Sequence, residues 1–272
     1  MKVFRIIVSV LFVITTIAAS IVFITELVET DKTIPIIKVE DKMIEVSLQA
    51  TDEELLRGIT AYDEKDKDLT DQIVIESISR FIEKGTSKVT YTVCDSDNNV
   101  SKATRLIKYV GYESPKFQVK GNLCFSLFEH ININDLIVAT DSLEGNISSK
   151  VVVTSENFSP SISGAFSLNV TVTNLKGDTS TITLPLIVED RPINVPQIEL
   201  KEYLVYTEKG KTIDFKSYII DAIDDYTVSL KDQIVIESNV DFKTPGTYHV
   251  HYYATNSQGL RGHSVLTVIV EE

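Results

Sequence analysis

The apolar positions of this chain follow two different patterns. From Ile6 to Thr25 (IIVSVLFVITTIAASIVFIT), twenty residues pass without a charge, a proline or a glycine. At about 1.5 Å per residue such a helix is about 30 Å long, the thickness of a bilayer's hydrocarbon core. Further along the chain the period changes to two. Lys88-Val89-Thr90-Tyr91-Thr92-Val93 alternates strictly, as does Tyr248-His249-Val250-His251-Tyr252; alternation in β-branched and aromatic residues is the signature of a half-buried strand. Turn-forming clusters separate these runs: Asp97-Asn98-Asn99, Leu175-Lys176-Gly177-Asp178, Thr244-Pro245-Gly246 and Ser257-Gln258-Gly259. No stretch after residue 60 sustains a helical period. The pattern predicts one apolar helix followed by many short strands.

The strands repeat. DQIVIES occupies Asp71 to Ser77 and again Asp232 to Ser238. At that fixed offset Pro35 meets Pro196, Asp63 meets Asp224, Gly85-Thr86 meets Gly246-Thr247 and Tyr91 meets Tyr252. Between Ile59 and Ser96, 17 of 38 positions are identical to their partners. A diverged third copy fits in the interval: Pro115, then Leu136 to Asp141, Val151 to Ser155 and Gly164 to Asn174 in the matching slots. The predicted architecture is all-β: three tandem antiparallel β-sandwich modules, over 35–110, 115–190 and 196–272, behind one N-terminal transmembrane helix. The repeated heptapeptide reads as one strand, with Ile73 and Ile75 on one face and Val74 on the other.

Charge gives the helix a direction. Lys2 and Arg5 precede it, while Glu26, Glu29 and Asp31 follow. The positive-inside rule then places residues 1–5 in the cytoplasm, uses 6–28 as an uncleaved signal anchor, and exports the rest. Ala18-Ala19-Ser20 offers a cleavage site as the competing reading, although the apolar run continues past it. The expected location is the cell membrane, single-pass, with the C-terminus extracytoplasmic. A net charge of −13 without a basic cluster excludes a nucleic-acid partner. Two cysteines, Cys94 and Cys124, fall in different repeats, too few for a disulfide scaffold.

Two stretches carry a family resemblance. One is Ala61-Tyr62-Asp63-Glu64-Lys65-Asp66-Lys67-Asp68-Leu69-Thr70. The other runs from Thr244-Pro245-Gly246-Thr247-Tyr248 through Val250, Tyr252 and Asn256 to Gly259. Together they resemble the bacterial surface-protein Ig-like family, the type also attached to some pesticidal crystal proteins. The resemblance implies Ig-like sandwiches on a bacterial surface protein and supplies no active site. It covers all three modules, least clearly the middle one, which lacks the Pro-Gly turn and the tyrosine. Lys67 stands where that family's acidic turn has glycine. Tyr91 and Tyr252 sit two residues before the place of an antibody domain's second cysteine, here Val93 and Ala254. Their expected role is either a tyrosine corner, with the hydroxyl bonded to backbone, or plain core packing.

No catalytic motif is present: no phosphate loop, no H-E-x-x-H, no C-x-x-C and no G-x-S-x-G. The chain therefore reads as a non-enzyme. Asp63, Asp66, Asp68 and Asp71 crowd one turn and are the candidate calcium ligands, with a solvated acidic turn as the alternative. At the repeat offset Asp66 becomes Thr227 and Asp68 becomes Ser229, whereas Asp63 and Asp71 persist. No other cofactor is expected. In the third module His249, His251 and Tyr253 share the outward face at i, i+2 and i+4, a candidate binding stripe that histidine would make pH-sensitive; cross-strand pairing on a solvated face is the alternative.

The expected function is a membrane-anchored extracytoplasmic surface protein. Its tandem modules would mediate binding or adhesion to a protein or glycan, in the envelope or on a host. The alternative is a non-binding structural spacer or a subunit of an envelope assembly.

Overall fold

The computed structural model describes residues 2–29, 33–130, 132–155, 158–192, 194–224 and 229–272; Asp31 and Thr227 lie outside them. The chain forms two compact units, 1–111 and 112–272. The first begins with the helix α1 (Lys2–Glu29). Its stretch Val3–Ile24 has a mean hydropathy of 2.7 and is long and apolar enough to cross a membrane.

Seven strands follow in the first unit: β1 (Ile36–Val39), β2 (Met43–Val46), β3 (Ile59–Asp63), β4 (Lys67–Asp68), β5 (Val74–Ile78), β6 (Thr86–Cys94) and β7 (Val100–Tyr109). They form two sheets, β1-β3-β4 and β2-β7-β6-β5, antiparallel except for β2 alongside β7. A single helical turn, α2 (Asp52–Leu56), links β2 to β3; Thr51 caps its N-terminus by accepting from the Glu54 N–H, and three acidic residues sit in its first turn.

The second unit holds the same arrangement twice. The strands β8 (Lys116–Val119), β9 (Cys124–Ser126), β10 (Ile137–Asp141), β11 (Gly145–Asn146), β12 (Val152–Ser155), β13 (Gly164–Thr173) and β14 (Thr179–Glu189) make sheets ordered β11-β10-β8 and β12-β13-β14-β9. One helical turn, α3 (Ile133–Leu136), leads into β10. Next come β15 (Gln197–Leu200), β16 (Leu204–Glu208), β17 (Ile219–Ile223), β18 (Val235–Ser238), β19 (Gly246–Thr255) and β20 (Arg261–Glu271), in sheets β15-β17 and β16-β20-β19-β18. In all three sandwiches the second strand runs parallel to the last: β2 with β7, β9 with β14, β16 with β20. The chain is thus mostly β, in sandwich modules of one repeated strand order.

The repeated heptapeptide is not a single strand. Thr70–Gln72 and Lys231–Gln233 are 3₁₀ turns, and the strand starts only at Val74 or Val235. In the first copy the cause is local. The Asp68 carboxylate accepts the Thr70 N–H at 3.0 Å, and Ile73 closes the turn by donating to the Thr70 carbonyl. The alternation beyond it holds, with Ile73 buried and Val74 exposed.

Tyr91 and Tyr252 are core residues whose hydroxyls bond to backbone, though not at a tyrosine corner. Each ring is fully buried. The Tyr91 hydroxyl donates to the Leu55 carbonyl at 2.7 Å, and Tyr252 donates to the Phe215 carbonyl at 3.0 Å. The acceptor is not the neighbouring corner but the segment just before β3 or β17, so each hydroxyl ties the two sheets' connection to the core. In the middle sandwich Val170 fills the site with packing alone. Around Tyr91 a second polar residue is buried. Arg105 donates Nε to the Tyr91 hydroxyl at 3.1 Å, Nη1 to the Arg57 carbonyl at 2.8 Å, and Nη2 to the Leu55 carbonyl. No carboxylate is among these partners. The guanidinium is held by carbonyls at the C-terminal end of α2, where a cation is favoured.

Tyr91→Phe removes the acceptor of a buried guanidinium N–H and is expected to cost about 2 kcal/mol; Tyr252→Phe loses one neutral hydrogen bond and about 1 kcal/mol. Denaturant unfolding of each variant checks the order, and equal losses would contradict it.

Candidate functional site

Three regions carry the polar chemistry: the acidic turn of the first sandwich, the outward face of β19, and the junction inside the second unit.

In the turn, β3 and β4 form a tight hairpin in which Asp63 lies opposite Lys67. Lys67 adopts φ +65°, the left-handed conformation that Gly145 takes at φ +72° in the matching β10–β11 hairpin. The family's glycine is replaced but its backbone geometry is kept. Asp63 is buried, and its Oδ1 accepts the N–H of Lys65 at 2.8 Å and of Asp66 at 3.1 Å. Asp141 does the same for Leu143 and Glu144. Of the four expected calcium ligands the structure brings together two. Asp63 and Asp66 gather with Asp95, their carboxylate oxygens within 4.8 Å of one another. Asp68 and Asp71 point into solvent; the Asp68 carboxyl is held below the usual carboxylate range by its hydrogen bonds to Thr70.

Asp95 comes from the end of β6, which is why a local reading of the turn missed it. It accepts the Asp97 and Asn99 N–H groups and the Asn99 amide. In the second sandwich its position is held by Asn174, whose amide donates to Asp141 Oδ2 at 2.9 Å. In the third it is Asn256, buried like Asp224. An acid–amide pair is thus replaced by two buried acids in the first sandwich alone. The internal repeat, aligned through this position, carried the signal.

On β19 the alternation places His249, His251 and Tyr253 on one face, but that face is half-buried rather than open. Tyr253 stacks on His263 with ring centroids 4.4 Å apart, and the Arg261 guanidinium lies 3.6 Å from the tyrosine ring. His263 was not among the expected residues, and it is the hub. Its Nδ1 lies 2.7 Å from Glu189 Oε1, at the end of β14, and its Nε2 lies 2.9 Å from His251 Nδ1. Burial holds the His251 and His249 rings below the ordinary imidazole value, helped by His263 for the first and by His251 for the second. Burial also pushes the Glu189 carboxyl up, but His263, Arg191 and Arg261 outweigh it, so Glu189 stays below its usual range.

This face is covered because the second and third sandwiches pack together. One hydrophobic cluster runs through both, from Phe117 and Leu123 to Leu204, Leu266 and Val268. Beyond the reach of β16 the outer edge of β20 is completed by a side chain. The Asn122 amide donates to the His263 carbonyl at 2.8 Å and accepts the Val265 N–H at 3.3 Å, in place of a neighbouring strand. The Phe117 N–H donates to the Tyr206 hydroxyl at 3.0 Å, and Arg191 donates to the Cys124 carbonyl at 3.1 Å. Gly262 is required here for close approach: a Cβ would lie 1.9 Å from the Pro196 carbonyl oxygen. Cys124 is buried in this junction, its thiol pushed up by burial, so it is protected and unreactive; Cys94 is also free.

Residues 204–270, nearly the whole of the third sandwich, match the family described as bacterial surface protein, Ig-like domain, so the chain carries a domain of that kind. An uncharacterized 81.3 kDa protein of Acholeplasma phage L2 is 29% identical over 142 residues, 50% of this chain and 19% of the phage protein. Among solved structures, the M60 catalytic domain with the CBM51-1 and CBM51-2 domains of Clostridium perfringens ZmpB is 14% identical, covering 87% of this chain and 30% of that one at a TM-score of 0.25. Drosophila N-cadherin EC1-4 is 12% identical, covering 88% and 75%, also at 0.25.

Asp95→Asn restores the acid–amide pair of the other sandwiches and is expected to stabilise the first unit by about 1 kcal/mol in the presence of chelator. Thermal unfolding with chelator and with calcium checks this. A calcium-induced rise confined to the unsubstituted protein would assign a cation to Asp63, Asp66 and Asp95; unchanged midpoints would leave them as turn scaffolding.

Proposed function

We propose that this is a membrane-anchored, extracytoplasmic surface protein whose tandem sandwiches bind a protein or glycan partner in the cell envelope, with no catalytic step of its own. The observation that carries this reading is the match of residues 204–270 to bacterial surface-protein Ig-like domains, on a chain that also bears an apolar helix of bilayer length. Lys2 and Arg5 supply the orientation, N-terminus inside. The recognition element we assign to the third sandwich is Tyr253 with Arg261. It pairs an aromatic face with an exposed guanidinium, a combination suited to protein or glycan contact. His249 and His251 support it from the half-buried side of the same face. The spacer reading draws on one specific observation, the packed junction between the second and third sandwiches, which stiffens that pair whatever it binds.

Protease added to intact cells is expected to degrade the sandwiches and spare α1; a fully protected chain would overturn the orientation. The full chain in nanodiscs, presented with purified wall glycan and with solubilised envelope proteins, is expected to retain one of them. Joint Tyr253→Ser and Arg261→Ser substitution is expected to lower that retention at least about tenfold, roughly 1.4 kcal/mol. Equal retention by the substituted protein would remove these residues from recognition, and no retention of either probe would favour the spacer.

A further inference from the structure

We propose that the junction between the second and third sandwiches is a proton-operated clasp, closed while the His251–His263 pair holds at most one added proton and opened when it must hold two. The inference is independent of which partner the surface binds.

A carboxylate only accepts, so His263 Nδ1 must be the donor to Glu189 Oε1. In the neutral state His263 Nε2 is then an acceptor, and His251 Nδ1 is the donor to it. One added proton is accommodated: His263 becomes an imidazolium between Glu189 and a neutral His251 whose own proton has moved to Nε2. A second proton sets N–H against N–H across 2.9 Å and places two cations side by side. The surroundings do not compensate. Arg261 on β20 and Arg191 in the linker are already cations, and His249 lies beside His251 on β19. Glu237 on β18 lies opposite His251 but is exposed, Tyr253 is held protonated by burial, and the Cys124 thiol on β9 is buried and neutral. Glu189 is the only buried-side anion among these groups, and it belongs to the other sandwich.

The direction with pH follows. His251 and His249 sit below the ordinary imidazole value of 6.5 in the closed junction, so the open form binds more protons. Closure is therefore unaffected well above 6.5, is weakened as pH falls through it, and is weakened fully below the depressed values. Glu189, whose carboxyl lies below the ordinary glutamate value of 4.5, keeps its charge throughout that upper window and adds its own loss only at lower pH.

Amide hydrogen exchange on the full chain in micelles tests the clasp. The Val265 and Phe117 amides report on it, because their acceptors, Asn122 and Tyr206, lie across the junction. Corrected for intrinsic rates, their protection is expected to fall about tenfold between about pH 7.5 and about pH 5.5, while Leu168 and Val250 in the two cores hold theirs. His251→Gln keeps a donor to His263 but cannot be charged, and is expected to flatten the response with both cores still protected. Unchanged protection of Val265 and Phe117 at the lower pH would overturn the proposal, as would a loss that includes both cores. A full response persisting in His251→Gln would do the same.

Discussion

The last strand of each sandwich is hydrogen-bonded along both edges, and the rest of the fold depends on that. It pairs antiparallel with the strand before it and parallel with the second strand of the same module. Parallel pairing cannot be made by a hairpin, so the second and last strands must be joined through the whole intervening module. The module is closed only when its end has returned to its beginning. It also means that the first and last strands of the larger sheet point the same way, so the chain comes in at one pole and leaves at the other. Where β16 falls short of covering β20, the Asn122 amide takes its place, which is how a neighbouring module becomes part of the same ladder.

Strand content and the internal repeat were legible because both rest on local signals. Period-two burial at Val89, Tyr91 and Val93 needs only that one face be dry, and Gly85-Thr86 needs only a turn. One misreading is local in origin, and the others come from a partner far along the chain. DQIVIES was read as a strand because its apolar residues alternate, yet the Asp68–Thr70 contact turns its first half into a 3₁₀ segment. The acidic turn looked self-contained, while its buried member Asp63 faces Asp95 from another strand. Tyr91 was placed in the core correctly, but its hydrogen bond to the Leu55 carbonyl depends on how α2 is folded against the sheet.

The half-burial of His249, His251 and Tyr253 has the same origin one level up. Alternation within β19 assigns them to the outward face and says nothing about what covers that face. Coverage comes from module-to-module packing, which involves residues such as Leu123 and Asn122 that show no strand or motif pattern of their own. Not every buried polar atom of the second unit is satisfied. His249 Nδ1 and Thr267 Oγ1, which belong to directly opposed residues, are buried without a hydrogen-bond partner, and Arg191 Nε lies 3.3 Å from Glu189 without the alignment of a bond. Buried polar atoms left in this state cost free energy.

The apolar helix sets a separate condition on the whole molecule. Val3–Ile24 is wholly uncovered by the rest of the chain, with Phe4, Phe12 and Phe23 each more than three-fifths exposed. That much contiguous apolar surface is not sustained in water, since each such side chain left uncovered forfeits about 1.5–3 kcal/mol. A bilayer would supply that cover to a helix of this length. An anchor and a signal peptide both need a hydrophobic run, but only the anchor gains from one that spans the whole hydrocarbon core. The uncharged stretch here continues from Ile21 to Ile24 past the small residues where cleavage would fall. Those four residues add apolar area that a transient targeting signal does not use and a permanent span does, which is the physical ground for preferring the anchor.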